Sequence, residues 1–160
     1  MPNIMPDQLE EIASQLLKGA GASDDEAATV ARLSISANLA GHDSHGIIQI
    51  PTYIDRVDRG HIVPGAEFEI LKDTPTTTVI DGHWGFGYVV AERAMQMTID
   101  KAKTQNVAAT TVHRQSHIGR LASYPLMGAQ ADMIAMITAD SGRSAKGAVS
   151  YTHLTLPTKA

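Results

Sequence analysis

Between Thr76 and Val112 the hydrophobic period changes twice, and this constrains the fold more than any other feature of the chain. Thr76 to Ile80 is a β-branched run, Ala91, Ala94, Met95, Thr98 and Ala102 then recur at helical spacing over Tyr88 to Thr104, and Val107 to Val112 is β-rich again. A strand, a helix and a strand in that order require a crossover connection. A polar loop, a helix ending near Ala131 and a further strand at Met133 to Thr138 repeat the order. The pattern predicts a mostly parallel sheet with crossover helices, preceded by a short strand at Phe68 to Leu71 and the turn "KDTP".

The preceding residues read as helices. Leu9, Ile12, Ala13 and Leu16 predict an amphipathic helix over Pro6 to Lys18, which "GAGAS" stops. Ser23 and Glu26 form a capping-box pattern for a second helix, whose face continues through Val30, Leu33, Ala37 and Ala40. Ile47, Ile50, Ile54 and Val57 predict a third helix from Gly46 to Arg59, started or kinked by Pro51 and closed by Gly60. The expected fold class is therefore α/β, with a helical N-terminal segment, residues 1–60, leading into a mixed or parallel sheet with crossover helices over residues 61–148.

Composition removes several classes of function. With 43% hydrophobic and 19% charged residues and a net charge of -4, the 160-residue chain reads as one ordinary globular domain, with no basic surplus for nucleic acid. The absence of cysteine excludes disulfides, thiolate metal sites and a thiol nucleophile. No signal-peptide pattern and no membrane-length apolar run is present, so the expected location is the cytoplasm, with no membrane partner. The last residues break with the rest. Val149 to Thr158 back-translates into a sequence that resembles the transposase end and adapter of short-read sequencing libraries. Residues 149–160 are thus expected to be adapter-derived, and the natural chain to be longer.

Two histidine pairs carry the candidate chemistry: His42 with His45 in "GHDSHGI", and His113 with His117 in "HRQSHIGR". Four clustered imidazoles could hold a metal for a hydrolase or lyase, although no "HExxH" pattern accompanies them and His113 and His117 straddle a strand end. The "HRQSHIGR" loop leaves the carboxyl end of a predicted strand, where ligands bind in open α/β sheets. There His117 can exchange a proton near neutral pH, and Arg120 can hold a carboxylate in a bidentate fork. Equally, His117 could cap a helix and Arg120 could be a solvated surface residue. In "GHDSHGI", His45 reads as a second acid or base and Ser44 as a hydrogen-bond donor to substrate, or else Asp43 or Ser44 simply caps the next helix. "GFG" at Gly85 to Gly87 lacks the third glycine of a dinucleotide fingerprint, and Trp84 and Tyr88 beside it read as packing residues.

Taken together, "GHDSHGIIQIPTYIDRVDRGHI", "VIDGHWGFGYVVAERAM" and "VHRQSHIGRLASY" resemble the malate/L-lactate dehydrogenase family of NAD(P)-dependent 2-hydroxycarboxylate oxidoreductases, with "SHIGR" most similar to its hydroxycarboxylate dehydrogenase branch. The likeness runs from the first helix to about Ser141, roughly the first half of a member. It implies a non-Rossmann dehydrogenase fold, with residues 1–60 in a substrate and dimerisation domain and residues 61–148 opening the α/β cofactor and substrate domain. It also implies reversible hydride transfer between NAD or NADP and a small 2-hydroxy or 2-oxo acid, in a cytosolic homodimer. By motif, His117 corresponds to a proton acceptor, His45 to a proton donor, Ser44 to a substrate contact and Ser141 to a cofactor contact. One position departs: many members have an arginine four residues after the "DSHG" histidine, where this chain has Gln49, and the carboxylate role is assigned instead to Arg120. The chain alone, lacking the remaining cofactor contacts, is expected to be inactive.

Overall fold

In the computed structural model, which describes residues 4–140, α1 (Pro6–Gly19) and α2 (Asp24–Leu39) pack as a hairpin. Small residues make the close approach possible: Ala13, Ala27, Ala31 and Ala37 are fully buried. The apolar face of α1 is rotated from the one expected. Ala13, Ser14 and Leu17 are buried, whereas Ile12 and Leu16 are half exposed, because α2 covers only the narrower, small-residue stripe. At the start of α2 the capping box forms as predicted: the Glu26 amide donates to Ser23 Oγ at 3.3 Å, and the Ser23 amide donates to Glu26 Oε2 at 2.9 Å. The other Glu26 oxygen accepts from the Gly65 amide at 2.9 Å, tying α2 to the loop ahead of the sheet.

The helix expected over Gly46 to Arg59 begins later. Two 3-10 turns, Asp43–His45 and Ile47–Gln49, precede α3 (Ile50–Asp58), and Pro51 falls in its first turn, where a missing amide hydrogen costs nothing. β1 (Glu69–Asp73), β2 (Thr77–Asp81) and β3 (Ala109–His113) form a sheet in that order. It is mixed: β1 and β2 are antiparallel, with an irregularity between Ile70 and Lys72, and β2 and β3 are parallel. α4 (Gly87–Gln105) makes the crossover, and α5 (Ser123–Gln130) follows β3.

The strand expected at Met133 to Thr138 does not form: this run joins no ladder among the described residues. Its alternation is real, with Ile134 and Met136 strongly exposed and Ile137 packed against the Ala91, Ile118 and Tyr124 cluster. A strand, however, exists only through its hydrogen-bonded neighbour, and the period-two pattern alone does not supply one. The larger core joins Leu17, Val30, Ile50, Tyr53, Ile62, Phe86 and Tyr88, so α1 to α4 close around the two tyrosines. The tail assigned to residues 149–160, and Ser141, lie outside the described residues.

Candidate active site

The first wall of the site is the "GHDSHGI" turn, and Asn38 near the end of α2 sets its shape. Asn38 Nδ2 donates to Asp43 Oδ1 at 2.6 Å, and its Oδ1 accepts from the Ile47 amide at 2.8 Å, so one side chain brackets the turn that carries Ser44 and His45. Gly46 is required by this clamp, because a Cβ there would fall 2.1 Å from Asn38 Oδ1. Ser44 Oγ lies 2.9 Å from His45 Nδ1, and Gln49 Nε2 donates to the Ser44 carbonyl at 2.8 Å.

The second wall is the loop leaving β3. Ser116 fastens it to the start of α4, its hydroxyl donating to the Gly85 carbonyl and accepting from the Gly87 amide, both at 2.8 Å. Gly87 allows that approach, since a Cβ would sit 2.2 Å from the Ser116 carbonyl oxygen. The "GFG" glycines therefore serve loop packing, and the Gly87 amide that might have met a phosphate is already bonded. Farther along, Gly119 adopts a positive φ of 67° with Tyr88 directly against it.

These two walls bring His45 and His117 together, with ring centroids 5.6 Å apart and planes 28° from parallel. Two buried tyrosines complete the arrangement. Tyr53 of α3 has its hydroxyl 2.8 Å from His117 Nδ1 and 3.1 Å from the Tyr88 hydroxyl, and Tyr88 of α4 donates to the His45 carbonyl at 3.1 Å. Burial lowers the His117 pKa to about 4, assisted by the nearby His45 and Arg56. His117 is consequently a neutral imidazole at physiological pH. Burial likewise raises the Tyr53 and Tyr88 pKa values, so both phenols keep their protons. Arg120 follows the loop, and its Nε is buried with no hydrogen-bond partner among the described residues.

His42 and His113 are directed elsewhere: His42 Nδ1 lies 3.2 Å from the Ala40 carbonyl, and His113 Nδ1 lies 3.9 Å from Asp81 Oδ2. The four histidines do not converge on a metal. Among the described residues the group that could converge on one is Glu69, Asp81 and His83. There Arg114 already donates to both Asp81 oxygens, through Nε at 2.9 Å and through Nη2, which supplies the positive charge a cation would bring.

The sequence singles out His45, Ser44 and His117, which the fold brings together, but not Asn38 or Tyr53, and it gives Tyr88 a packing role only. A signal for Tyr53 was available: it lies on the apolar face of α3 between Ile50 and Ile54, where a phenylalanine would pack equally well without a hydroxyl to satisfy. Trp84, expected to pack, is half exposed, because it sits at a positive φ of 61° at the tip of the turn between β2 and α4.

The sequence profile of the malate/L-lactate dehydrogenase family matches residues 4–152. The chain is 38% identical over 113 residues to hydroxycarboxylate dehydrogenase B of Escherichia coli, covering 71% of this chain and 31% of that protein. It is 34% identical over 131 residues to L-sulfolactate dehydrogenase of Methanocaldococcus jannaschii, covering 82% of this chain and 38% of the relative. Among solved structures, malate dehydrogenase from Entamoeba histolytica superposes with a TM-score of 0.79 at 37% identity, over 81% of this chain and 36% of that one. The chain thus spans between three and four tenths of the length of these relatives. With its fold and nearly all of its length matched, the chain belongs to the malate/L-lactate dehydrogenase family.

Proposed function

We propose that this chain forms the substrate-side part of a dehydrogenase that interconverts small 2-hydroxy and 2-oxo acids with NAD or NADP, in a cytoplasmic homodimer without nucleic-acid or membrane partners. The observation that carries the reading is His117, a neutral, desolvated imidazole stacked near a second histidine at the carboxyl end of a parallel strand. The described groups fit the substrate half of such a reaction: a neutral imidazole, a hydroxyl at Ser44 and the Arg120 guanidinium, whose buried Nε has no hydrogen-bond partner among the described residues. When bound, the nicotinamide supplies the hydride acceptor. Oxidation then requires the 2-hydroxyl proton to leave as the carbinol C–H departs as hydride, and His117 accepts that proton. In the reverse direction protonated His117 returns that proton to the 2-oxo oxygen, and His45, its ring centroid 5.6 Å away, is proposed as the proton donor that recharges the pair from solvent. Arg120 and Ser44 would hold the substrate carboxylate, in place of the cation that Gln49 cannot provide. Ser141 would touch the cofactor.

The test is oxidation of NADH or NADPH by the full-length protein with a panel of 2-oxo acids. Turnover is expected, and His117→Gln should lower kcat by roughly 10²- to 10⁴-fold. Absence of turnover across the panel, or an unchanged kcat in the variant, would overturn the reading.

A further inference from the structure

The hydroxyls around His117 form a chain in which one proton arrangement satisfies all three hydrogen bonds. The His45 carbonyl can only accept, so the 3.1 Å bond to it uses the single proton of Tyr88. Tyr88 therefore has no proton for Tyr53, and the 3.1 Å bond between the phenols is donated by Tyr53. Tyr53 in turn has no proton left for His117. The 2.8 Å bond at His117 Nδ1 must then run from the imidazole N–H to the Tyr53 oxygen.

From this we infer that Tyr53 and Tyr88 are positioning residues that lock His117 in its Nδ1–H tautomer, leaving the Nε2 lone pair as the proton-accepting atom. The inference rests on the proposed role of His117 for its meaning in catalysis, but the tautomer itself follows from the hydrogen bonds alone. The opposite tautomer would make Tyr53 donate to Nδ1, which takes the proton away from Tyr88. Two phenol oxygens and the His45 carbonyl would then share one remaining proton, and the loss of one such bond biases the equilibrium by about tenfold. Both phenols are fully buried, with Tyr53 at 1% and Tyr88 at 2% relative exposure, so bulk water does not replace the missing donor. The raised pKa values of both phenols keep the count intact, since neither becomes a phenolate acceptor at neutral pH.

The same chain positions both histidines, because its last bond ends on the backbone of His45. Sequence separations of 35 residues between the tyrosines and 64 between Tyr53 and His117 make the lock a tertiary device that uses α3, α4 and the loop after β3 together.

The experiment is imidazole nitrogen NMR on this chain labelled with ¹⁵N-histidine at pH 7. His117 should show a pyrrole-type Nδ1 and a pyridine-type Nε2, and the reverse assignment in the wild-type protein would overturn the inference. In Tyr88→Phe the Tyr53 proton loses its acceptor and turns to His117 Nδ1, so the two nitrogen signatures should exchange. A Tyr88→Phe protein that is folded and keeps the wild-type pattern would also overturn it. If that variant does not fold, Tyr53→Phe serves instead: without its oxygen, His117 should give averaged signatures of two tautomers, and an unchanged Nδ1–H pattern would count against the lock. None of these readouts depends on dehydrogenase turnover, so failure of the lock and failure of the proposed activity are told apart.

Discussion

Two histidine-bearing clusters lie at the carboxyl ends of β2 and β3, and their difference shows what makes an imidazole available for chemistry. Around His117 the partners are hydroxyls and a second ring in a desolvated pocket, and the imidazole is kept neutral by burial. Around Asp81 the partners are charges. Its carboxylate, 1% exposed, accepts from Arg114 and from the His83 amide, and the His83 ring lies 2.7 Å from Glu69. The first cluster withholds charge from an imidazole and fixes its proton by hydrogen-bond direction. The second neutralises a buried carboxylate and leaves its histidines on the rim, half exposed and beside carboxylates. Two neighbouring loops thus use the same residue type once as a desolvated neutral ring and once as a partner to carboxylates.

The largest effect on stability is expected from Arg114→Met, which strands the buried Asp81 carboxylate. Breaking such a pair costs about 3 kcal/mol, at the low end of the usual range because the guanidinium is half exposed. Urea unfolding measures it, and a loss below about 1 kcal/mol would mean that Asp81 is solvated like any surface carboxylate.

Next comes acid sensitivity from His117. Its folded pKa of about 4 lies below the unfolded 6.5, so the unfolded chain binds more protons between those values. The stability associated with the neutral ring is full above pH 6.5 and is lost as pH falls toward 4, by on the order of 2 kcal/mol after allowing for partial exposure. The difference between the wild type and His117→Gln across this window isolates the effect from the carboxylates that titrate alongside. Parallel stability curves for the two proteins would place His117 in solvent.

Asn38→Ala should cost about 1.5 kcal/mol, since it removes both hydrogen bonds that bracket the His45 turn. Hydrogen exchange at the Ile47 amide should accelerate while exchange in β2 is unchanged; equal protection in both proteins would show that the turn holds itself. The smallest effect belongs to His83→Ala, where the Glu69 partner is 44% exposed and the pair is worth about 0.2 to 1 kcal/mol. A loss above 2 kcal/mol there would make the second cluster as dependent on its histidine as the first.

How far the sequence reaches can be judged from particular residues. Ser23 and Glu26 announced the start of α2 because a capping box is local, complete within four residues. The strands were found to within one or two residues, since β-branched runs and turn residues are also local signals. The His45 and His117 loops could be found as motifs, but their meeting at 5.6 Å could not, because it depends on how the turn after α2 packs against the loop after β3. The antiparallel direction of β1 was not legible, because strand composition does not encode pairing direction. Nor was the rotated face of α1, which depends on how much of that helix α2 covers.

Most helix and strand positions, the α2 capping box and the existence of two histidine loops are thus legible in the sequence through local signals, whereas the failure of Met133 to Thr138 to join the sheet among the described residues and the glycines demanded by Asn38 and Ser116 are not. Only the tertiary structure decided which histidine is kept neutral and in which direction its hydrogen bonds run. The reason is that pKa and tautomer are properties of spatial neighbours: the hydroxyls of Tyr53 and Tyr88, on two helices, act on a ring in the loop after β3 only once the core has excluded water from all three.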